Sequence, residues 1–143
     1  MSGSVVEAED ITQEVFVTLL RHPDRFNSAR GPLRAFLLGI ARNLALKRWR
    51  RDHRLEPLDG EAFVAEPLAV ERHEIGELVA RAVQALPRLQ REVVILAEYE
   101  QLPLDEIARA VDTTVGSVKS RLHRGRENLR RMLEPVRPCM RMP

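Results

Sequence analysis

Residues 104–133, LDEIARAVDTTVGSVKSRLHRGRENLRRML, decide how the rest of the chain can be arranged. Apolar residues recur at helical spacing in the first part of this stretch, at Leu104, Ile107, Ala108 and Val111. Residues 112–114, DTT, interrupt the pattern and offer side-chain oxygens that can cap a following helix. The stretch therefore predicts a short helix, a tight turn and a longer second helix.

The second of these helices has one apolar face and one basic face. The apolar face contains Val118, Leu122, Leu129 and Leu133, and Gly125 shares it. The opposite face contains Ser117, Ser120, Arg124 and Arg131, flanked by Lys119, Arg121, His123 and Arg126. A short helix followed by a basic helix is typical of the helix-turn-helix, whose second helix enters the major groove of DNA. A helical hairpin with a solvated charged face is the alternative.

Composition favours an all-α fold. The 143 residues allow one ordinary domain or two small ones. A hydrophobic content of 44% suffices for globular cores, whereas a charged content of 31% indicates much solvated helix surface. Runs that alternate between apolar and polar residues, as strands do, are missing from the sequence.

Charge is segregated along the chain although the net charge is only +2. Residues 30–54 contain eight Lys or Arg against one acid, and residues 115–131 contain six against one. Between them, residues 55–78 contain seven acids against one Arg. Two basic elements divided by an acidic stretch indicate two contacts with a polyanion, and nucleic acid is the natural candidate.

Enzymatic chemistry, cofactors and metals are not predicted. The four histidines lie on different elements without metal-ligand spacing, and a glycine-rich phosphate loop is lacking. Cys139 is the only cysteine, which excludes an intramolecular disulfide and favours a reducing compartment. Since no apolar run approaches the length of a membrane span, we expect a cytoplasmic protein without membrane insertion.

Residues 5–21 form a predicted amphipathic helix with two distinct stripes. The apolar stripe, expected to face a core, consists of Ile11, Val15, Phe16, Leu19 and Leu20. A second stripe consists of Asp10, Gln13, Glu14 and Val17. The second stripe is either solvated surface or a docking face for another protein.

Residues 22–32 are a loop by composition, and residues 33–51 return to a helical pattern. The predicted core stripe of this helix is Leu33, Phe36, Leu37, Ile40 and Leu44. The residues that this core stripe does not include, and that could bind a partner, are Arg42, Asn43, Lys47, Arg48, Trp49, Arg50 and Arg51. Arginines beside aromatic rings suit unpaired nucleic acid, because bases stack on the rings and phosphates meet the guanidinium groups. Complete burial of Phe26, Arg42 and Trp49 in a core would contradict this hypothesis.

These patterns divide the chain into two small helical domains. We expect the first at residues 5–51, a flexible acidic linker at 52–69, a four-helix domain at 70–134 and a tail at 135–143. Within the second domain, predicted helices at 70–86 and 88–100 precede the helix-turn-helix, and Pro87 separates them.

The chain resembles bacterial RNA polymerase sigma factors of the extracytoplasmic-function class, in the sigma-70 family. Three motifs carry the resemblance: the D-x-x-Q-E-x-F segment at 10–16, A-R-N-L-A at 41–45, and V-G-S-V-K-S-R-L-H-R-G-R at 115–126. The first two resemble region two of the family and the third resembles region four. One departure is that the family has another helix before the first motif, where only nine residues stand here. The resemblance therefore implies a region two that lacks its first helix.

The resemblance also implies partners and site residues. RNA polymerase would be bound at its β′ clamp helices by Asp10, Gln13, Glu14 and Val17, with a second contact to the β flap. The downstream promoter element, as an unpaired strand, would be read by Phe26, Asn27, Arg30, Arg42, Asn43, Lys47 and Arg50. The upstream element, as duplex, would be read by Ser117, Lys119, Ser120, Arg121, Arg124 and Arg126. An anti-sigma partner is implied as well. The alternative function is that of a stand-alone helix-turn-helix regulator or a non-initiating sigma-like protein.

Overall fold

The computed structural model describes residues 5–52, 63–69 and 74–136, and these residues form helices and no strand. The α-helices are α1 (Val5–Arg21), α2 (Leu33–Asp52), α3 (Ile75–Ala85), α4 (Arg88–Val94), α5 (Leu104–Ala110) and α6 (Val115–Met132). Short 3₁₀ turns lie at Pro23–Arg25, Ser28–Arg30 and Glu134–Val136. We call α1 and α2 with their connecting loop the N-terminal region, and residues 74–136 the C-terminal region. The predicted all-helical fold is confirmed.

The C-terminal region contains the main core. Residues with almost no solvent exposure come from every one of its helices, including Leu78, Val93, Ile107 and Val118. The predicted helix at 88–100 is present, but it changes from α4 to a π-helical turn at Ile95–Tyr99. The predicted helix at 70–86 is described only from Ile75 onward, because residues 70–73 lie outside the described residues.

The turn between α5 and α6 is built as the sequence indicated. Asp112 adopts a left-handed conformation with φ 54°, and the amide of Thr113 donates to the carbonyl of Ala108 at 2.9 Å. This hydrogen bond and the left-handed residue are those of a Schellman helix end. The hydroxyl oxygen of Thr114 then accepts from the amide of Ser117 at 3.1 Å and caps α6. The predicted capping role of residues 112–114 is therefore confirmed at Thr114.

The N-terminal region has a thin core of its own. Ile11 and Val15 of α1 are buried against α2, as predicted. Phe16 and Leu20, predicted to share that core, are 52% and 80% exposed, so the prediction is wrong for these two. The physical reason is that α1 packs mainly on α2, and one neighbouring helix covers only a narrow stripe of another.

The end of the predicted linker packs on the C-terminal region. The amide of Leu68 donates to the carbonyl of Met132 at 2.9 Å, and Phe63, Ala65 and Leu68 contact the C-terminal core. Residues 53–62 of the linker, and the tail from residue 137 with Cys139, lie outside the described residues.

The two regions pack against each other through α2 and α5. Leu38 of α2 reaches the C-terminal core, and Gly39 lies directly against the backbone of Ala110. A Cβ atom on Gly39 would stand 3.5 Å from the carbonyl oxygen of Ala110. The basic helix of the N-terminal region is therefore covered along one side by the helix-turn-helix.

Gly125 sets the spacing between α4 and α6, and its replacement is a test of the C-terminal core. A Cβ atom there would stand 2.7 Å from Cγ2 of Val94, a buried β-branched side chain with little freedom to move. We expect Gly125→Ala to lower the free energy of unfolding by about 1–3 kcal/mol, measured by urea denaturation. Gly116→Ala is the matched control, since its Cβ would meet only Thr114 Oγ1 at 3.9 Å. Equal stability of the two variants would contradict the close approach of α4 and α6.

Candidate nucleic-acid and polymerase interfaces

The outer face of α6 is a continuous polar and basic surface. Lys119, Ser120 and Arg124 are exposed, while Val118 and Leu122 on the opposite face are buried. Arg124 Nη2 donates to Ser120 Oγ at 3.2 Å, which extends the guanidinium along the helix surface. A rigid helix with this face has the form and charge that the major groove accommodates.

Three other residues predicted for this surface are partly buried or already bonded to other residues of the protein. The hydroxyl oxygen of Ser117 accepts from Thr114 Oγ1 at 3.1 Å, and Arg121 is half-buried. Arg126 donates through Nε and Nη2 to Glu98 Oε1 at 2.8 and 2.5 Å. Both side chains of this ion pair are about half exposed, and such pairs contribute little stability, so DNA phosphate can compete for Arg126.

The loop before α2 presents an aromatic ring beside polar groups. The rings of Phe26 and Phe36 contact each other with centroids 5.5 Å apart and planes tilted by 56°. Asn27 Oδ1 accepts from the amide of Ala29 at 3.0 Å and begins the 3₁₀ turn that carries Arg30. The loop is thus pinned by local contacts, and Phe26 remains half-buried instead of entering a core.

Along α2, Asn43, Lys47 and Arg50 are exposed, but Arg42 is not. The Arg42 side chain is only 11% exposed and makes a bidentate ion pair with Glu92 of α4, which is 1% exposed. The two hydrogen bonds run from Nε to Oε2 at 3.0 Å and from Nη2 to Oε1 at 3.3 Å. The structure therefore places the Arg42 guanidinium against the C-terminal region, although its Nη1 still donates to Asn43 Oδ1 at 3.4 Å.

Glu92 holds a second cation, and together they form a charge cluster of Arg42, Glu92 and Arg88. Arg88 Nη1 donates to Glu92 Oε2 at 3.4 Å, and its guanidinium carbon lies 5.4 Å from the centre of the Trp49 ring. Burial lowers the pKa of Arg88, while the Glu92 carboxylate acts to raise it. A buried carboxylate needs such partners, because an isolated charge is costly to remove from water.

A groove of about 480 Å³ opens where the two regions meet. From the N-terminal region it is lined by Arg25, Phe26, Asn27, Arg30, Phe36 and Asn43, among others, and from the C-terminal region by Arg109, Ala110 and Asp112. Nη1 of Arg109 donates to the carbonyl oxygen of Arg30 across the groove. Most of the residues predicted to contact the unpaired strand therefore share one concavity, whose second wall belongs to the other region.

The stripe predicted for polymerase docking lies on the outside of α1. Asp10, Gln13, Glu14 and Val17 are exposed. Glu14 Oε2 accepts from Arg48 Nη2 of α2 at 3.1 Å. This partly exposed ion pair joins Glu14 to α2, and the other three residues of the stripe are exposed to solvent.

Comparison with known proteins identifies the family of this chain. Residues 1–55 match the family described as Sigma-70 region 2, and residues 76–129 match Sigma-70, region 4. The ECF RNA polymerase sigma factor SigW of Bacillus subtilis is 34% identical over 95% of this chain and 80% of its own. The chain belongs to the extracytoplasmic-function sigma factors of the sigma-70 family.

Two further relatives extend the comparison of this sigma factor. The RNA polymerase sigma-H factor of Pseudomonas aeruginosa is 30% identical over 91% of this chain and 75% of its own. A solved structure, the sigma factor RpoE of Bartonella quintana in complex with the anti-sigma factor NepR, is 26% identical with a TM-score of 0.72. That similarity covers 95% of this chain and 86% of the other, so it includes both regions.

Sequence reasoning about this sigma factor missed the residues that join its two regions. Glu92, Arg88 and Arg109 were not predicted as functional, although each contacts or approaches a predicted site residue. The one local signal for Glu92 is its place beside Val93 and Val94 in an apolar stretch of helix. Its partner lies 50 residues away, where helical spacing carries no information.

Two features are absent from the described part of the sigma factor. Its side chains include no group of three or more His, Cys, Asp or Glu that could hold a metal ion. Among the helices that the structure describes, none is long and apolar enough to cross a membrane.

The basic face of α6 can be tested by single substitutions. We expect Arg121→Ala and Arg124→Ala to weaken binding of a duplex selected from a random pool by about 1–3 kcal/mol each, if each contacts a base edge. The measurement is a salt-controlled fluorescence titration, because phosphate contacts also change the salt dependence of binding. Arg130→Ala is the control, since Arg130 lies near the end of α6 and pairs with Glu127 at 2.6 Å. If Arg121→Ala and Arg124→Ala bind no more weakly than this control, α6 is not the reading helix.

Proposed function

We propose that this sigma factor binds core RNA polymerase and directs transcription initiation by recognising two promoter elements with its two regions. The observation that carries the proposal is the presence of two separate basic surfaces, on α6 and on α2 with its preceding loop. They differ in form, since one is a single rigid helix and the other is a groove beside an aromatic ring. The first form suits a duplex and the second suits an unpaired strand.

The C-terminal region is proposed to grip the upstream element. Its contact residues are Ser117, Lys119, Ser120, Arg121, Arg124 and Arg126. Arginine and lysine side chains bind guanine edges or phosphates. Serine hydroxyls can form hydrogen bonds with base edges or with phosphates. The second polymerase contact, to the β flap, is assigned to this same region.

The N-terminal region is proposed to hold the downstream element as a single strand. Its contact residues are Phe26, Asn27, Arg30, Arg42, Asn43, Lys47 and Arg50. A base that leaves the duplex can stack on the Phe26 ring, and the basic residues of α2 follow the phosphates. In the arrangement described above, Arg42 must first leave Glu92 before it can contribute.

The outer stripe of α1 is proposed to dock on the β′ clamp helices of the polymerase. Asp10, Gln13, Glu14 and Val17 combine carboxylates, an amide and one exposed apolar side chain. This mixture is suited to a polar protein interface, and its position on α1 leaves the basic surface of α2 for DNA.

The remaining assignments follow from the family. Sigma factors are binding subunits and not enzymes, and we place this one in the cytoplasm with its polymerase. An anti-sigma factor is a proposed partner, because the similar sigma factor from Bartonella quintana was solved with one. The competing function, a stand-alone helix-turn-helix regulator, has no use for the basic α2 surface or the α1 stripe.

Transcription in vitro with purified components tests the proposal. Added to core polymerase, the protein should yield defined transcripts from cognate genomic fragments, whereas core polymerase alone should not. Asp10→Arg should abolish these transcripts and weaken holoenzyme formation by at least about tenfold, because charge reversal in a docking face creates like-charge repulsion.

The matched control for Asp10→Arg is Asp24→Arg. Asp24 is an exposed carboxylate of the same region that lies outside α1, in the first 3₁₀ turn. This variant should still assemble a holoenzyme. Transcripts that survive Asp10→Arg, or disappear equally with both variants, would contradict the docking role of the stripe.

A further inference from the structure

A small cavity adjoins the charge cluster of Arg42, Glu92 and Arg88. Its volume is about 30 Å³, and its walls also include Trp49 of α2 and Arg91 of α4. One water molecule needs about 10–15 Å³ of such space, so the cavity admits a particle of that size and not a phosphate group. The cavity is therefore suited to a water molecule or a monatomic ion.

One buried donor of the cluster has no acceptor. The Arg88 side chain is only 11% exposed, and its Nε atom has no hydrogen-bond partner among the residues that the structure describes. Its Nη1 donates to Glu92 Oε2 at 3.4 Å, which is longer than a charge-assisted hydrogen bond usually is. A buried donor without an acceptor is unfavourable, and the cavity that Arg88 lines has room for one.

The walls of the cavity have an excess of positive charge. The guanidinium groups of Arg42, Arg88 and Arg91 lie around a single carboxylate, that of Glu92. Both oxygens of this carboxylate already accept from Arg42 or Arg88. Burial lowers the pKa of Arg88, and the Glu92 carboxylate raises it. Neighbouring guanidinium groups, including that of Arg50, lower it again, so a further negative charge would be favourable here.

We propose that this cavity is a binding site for a small monovalent anion of the halide type, held by the guanidinium groups of Arg88 and Arg91 beside the Trp49 ring. The ion accepts from Arg88 Nε and offsets part of the excess charge of the cluster. Because α2 and α4 belong to different regions, the bound ion stabilises the packing of one on the other. The proposal does not depend on any contact with DNA or polymerase.

A water molecule is the competing occupant of the cavity. It would satisfy Arg88 Nε without adding charge, so the stability of the protein would not depend on which anion is present. A bound halide makes stability depend on the kind and concentration of the anion at constant ionic strength, because the ion binds the native state and not the unfolded chain.

Trp49 is the only tryptophan of the chain and reports on the site. Bromide quenches indole fluorescence on contact. We expect sodium bromide, replacing sodium gluconate at constant ionic strength, to reduce the emission of the full-length protein along a curve that saturates in the millimolar range. Sodium chloride should displace the bromide and restore the emission.

Urea denaturation provides an independent measurement on the same protein. The urea midpoint should rise when chloride replaces gluconate at constant ionic strength, because binding to the native state alone stabilises it. The rise should follow the chloride concentration that displaces bromide in the fluorescence titration.

Three variants test the residues that hold the ion. Arg88→Lys keeps a positive charge beside Glu92 but has no equivalent of Nε, so we expect at least about tenfold weaker bromide binding. Arg91→Gln removes one of the surrounding charges and should also weaken binding. Arg81→Gln is the control, since it removes an exposed arginine of α3 outside the cavity, and it should bind bromide as the unaltered protein does.

The results that would overturn the site are equally specific. Quenching that rises linearly with bromide and is not relieved by chloride would show random collisions from solvent. Equal urea midpoints in chloride and gluconate would assign the cavity to water. Bromide binding by Arg88→Lys as tight as by Arg81→Gln would exclude Arg88 Nε as the donor. These measurements leave the promoter and polymerase contacts to their own tests.

Discussion

The carboxylate of Glu92 is the point on which the arrangement of this sigma factor depends. It is removed from water almost completely, and it is satisfied by one arginine from each region. A buried charge of this kind is costly unless its partners stay in place, so the position of α2 against α4 is tied to the presence of Arg42. The ion pair between Arg34 and Glu100, which also joins the two regions, is more exposed and contributes less.

The packing of α2 on the C-terminal region connects the fold to the proposed DNA-binding function. Among the described residues the N-terminal region buries only Ile11, Val15 and Ala35 as core, so α2 obtains much of its remaining burial from α5. The helix that carries the downstream DNA-binding residues is therefore stabilised by the region proposed to bind the upstream element.

Much of the fold follows from helical periodicity in the sequence. The spacing of Val118, Leu122 and Gly125 predicted the buried face of α6 correctly, because neighbouring turns of one helix decide it. Phe16 and Leu20 were placed wrongly, since a periodic stripe shows which side of a helix is apolar but not how much of that side a neighbour covers. The π-helical turn at Ile95–Tyr99 was not predicted, because helical periodicity does not distinguish it from a continuing α-helix.

Parts of the candidate sites that lie on one helix were predicted from the sequence, whereas contacts between the two regions were not. The α6 surface was predicted as a unit because its residues are neighbours on one helix, and the family motifs indicated the α1 stripe and the loop before α2. The state of Arg42 was beyond prediction, since its partner Glu92 is brought to it by the packing of two regions. A basic residue in a motif shows what a side chain can bind, and only the tertiary structure shows what it binds in the free protein.

The distance between the two regions, measured in the free protein and in the promoter complex, tests this account most directly. Fluorophores at Thr12→Cys on α1 and Gln84→Cys on α3, with Cys139→Ser, place labels on exposed positions away from the proposed contacts. Energy transfer should report one short distance in the free sigma factor and a longer one in the holoenzyme on promoter DNA. The same distance in both states would contradict the proposed contact of Arg42 with the promoter strand, because Arg42 is paired with Glu92 in the free protein.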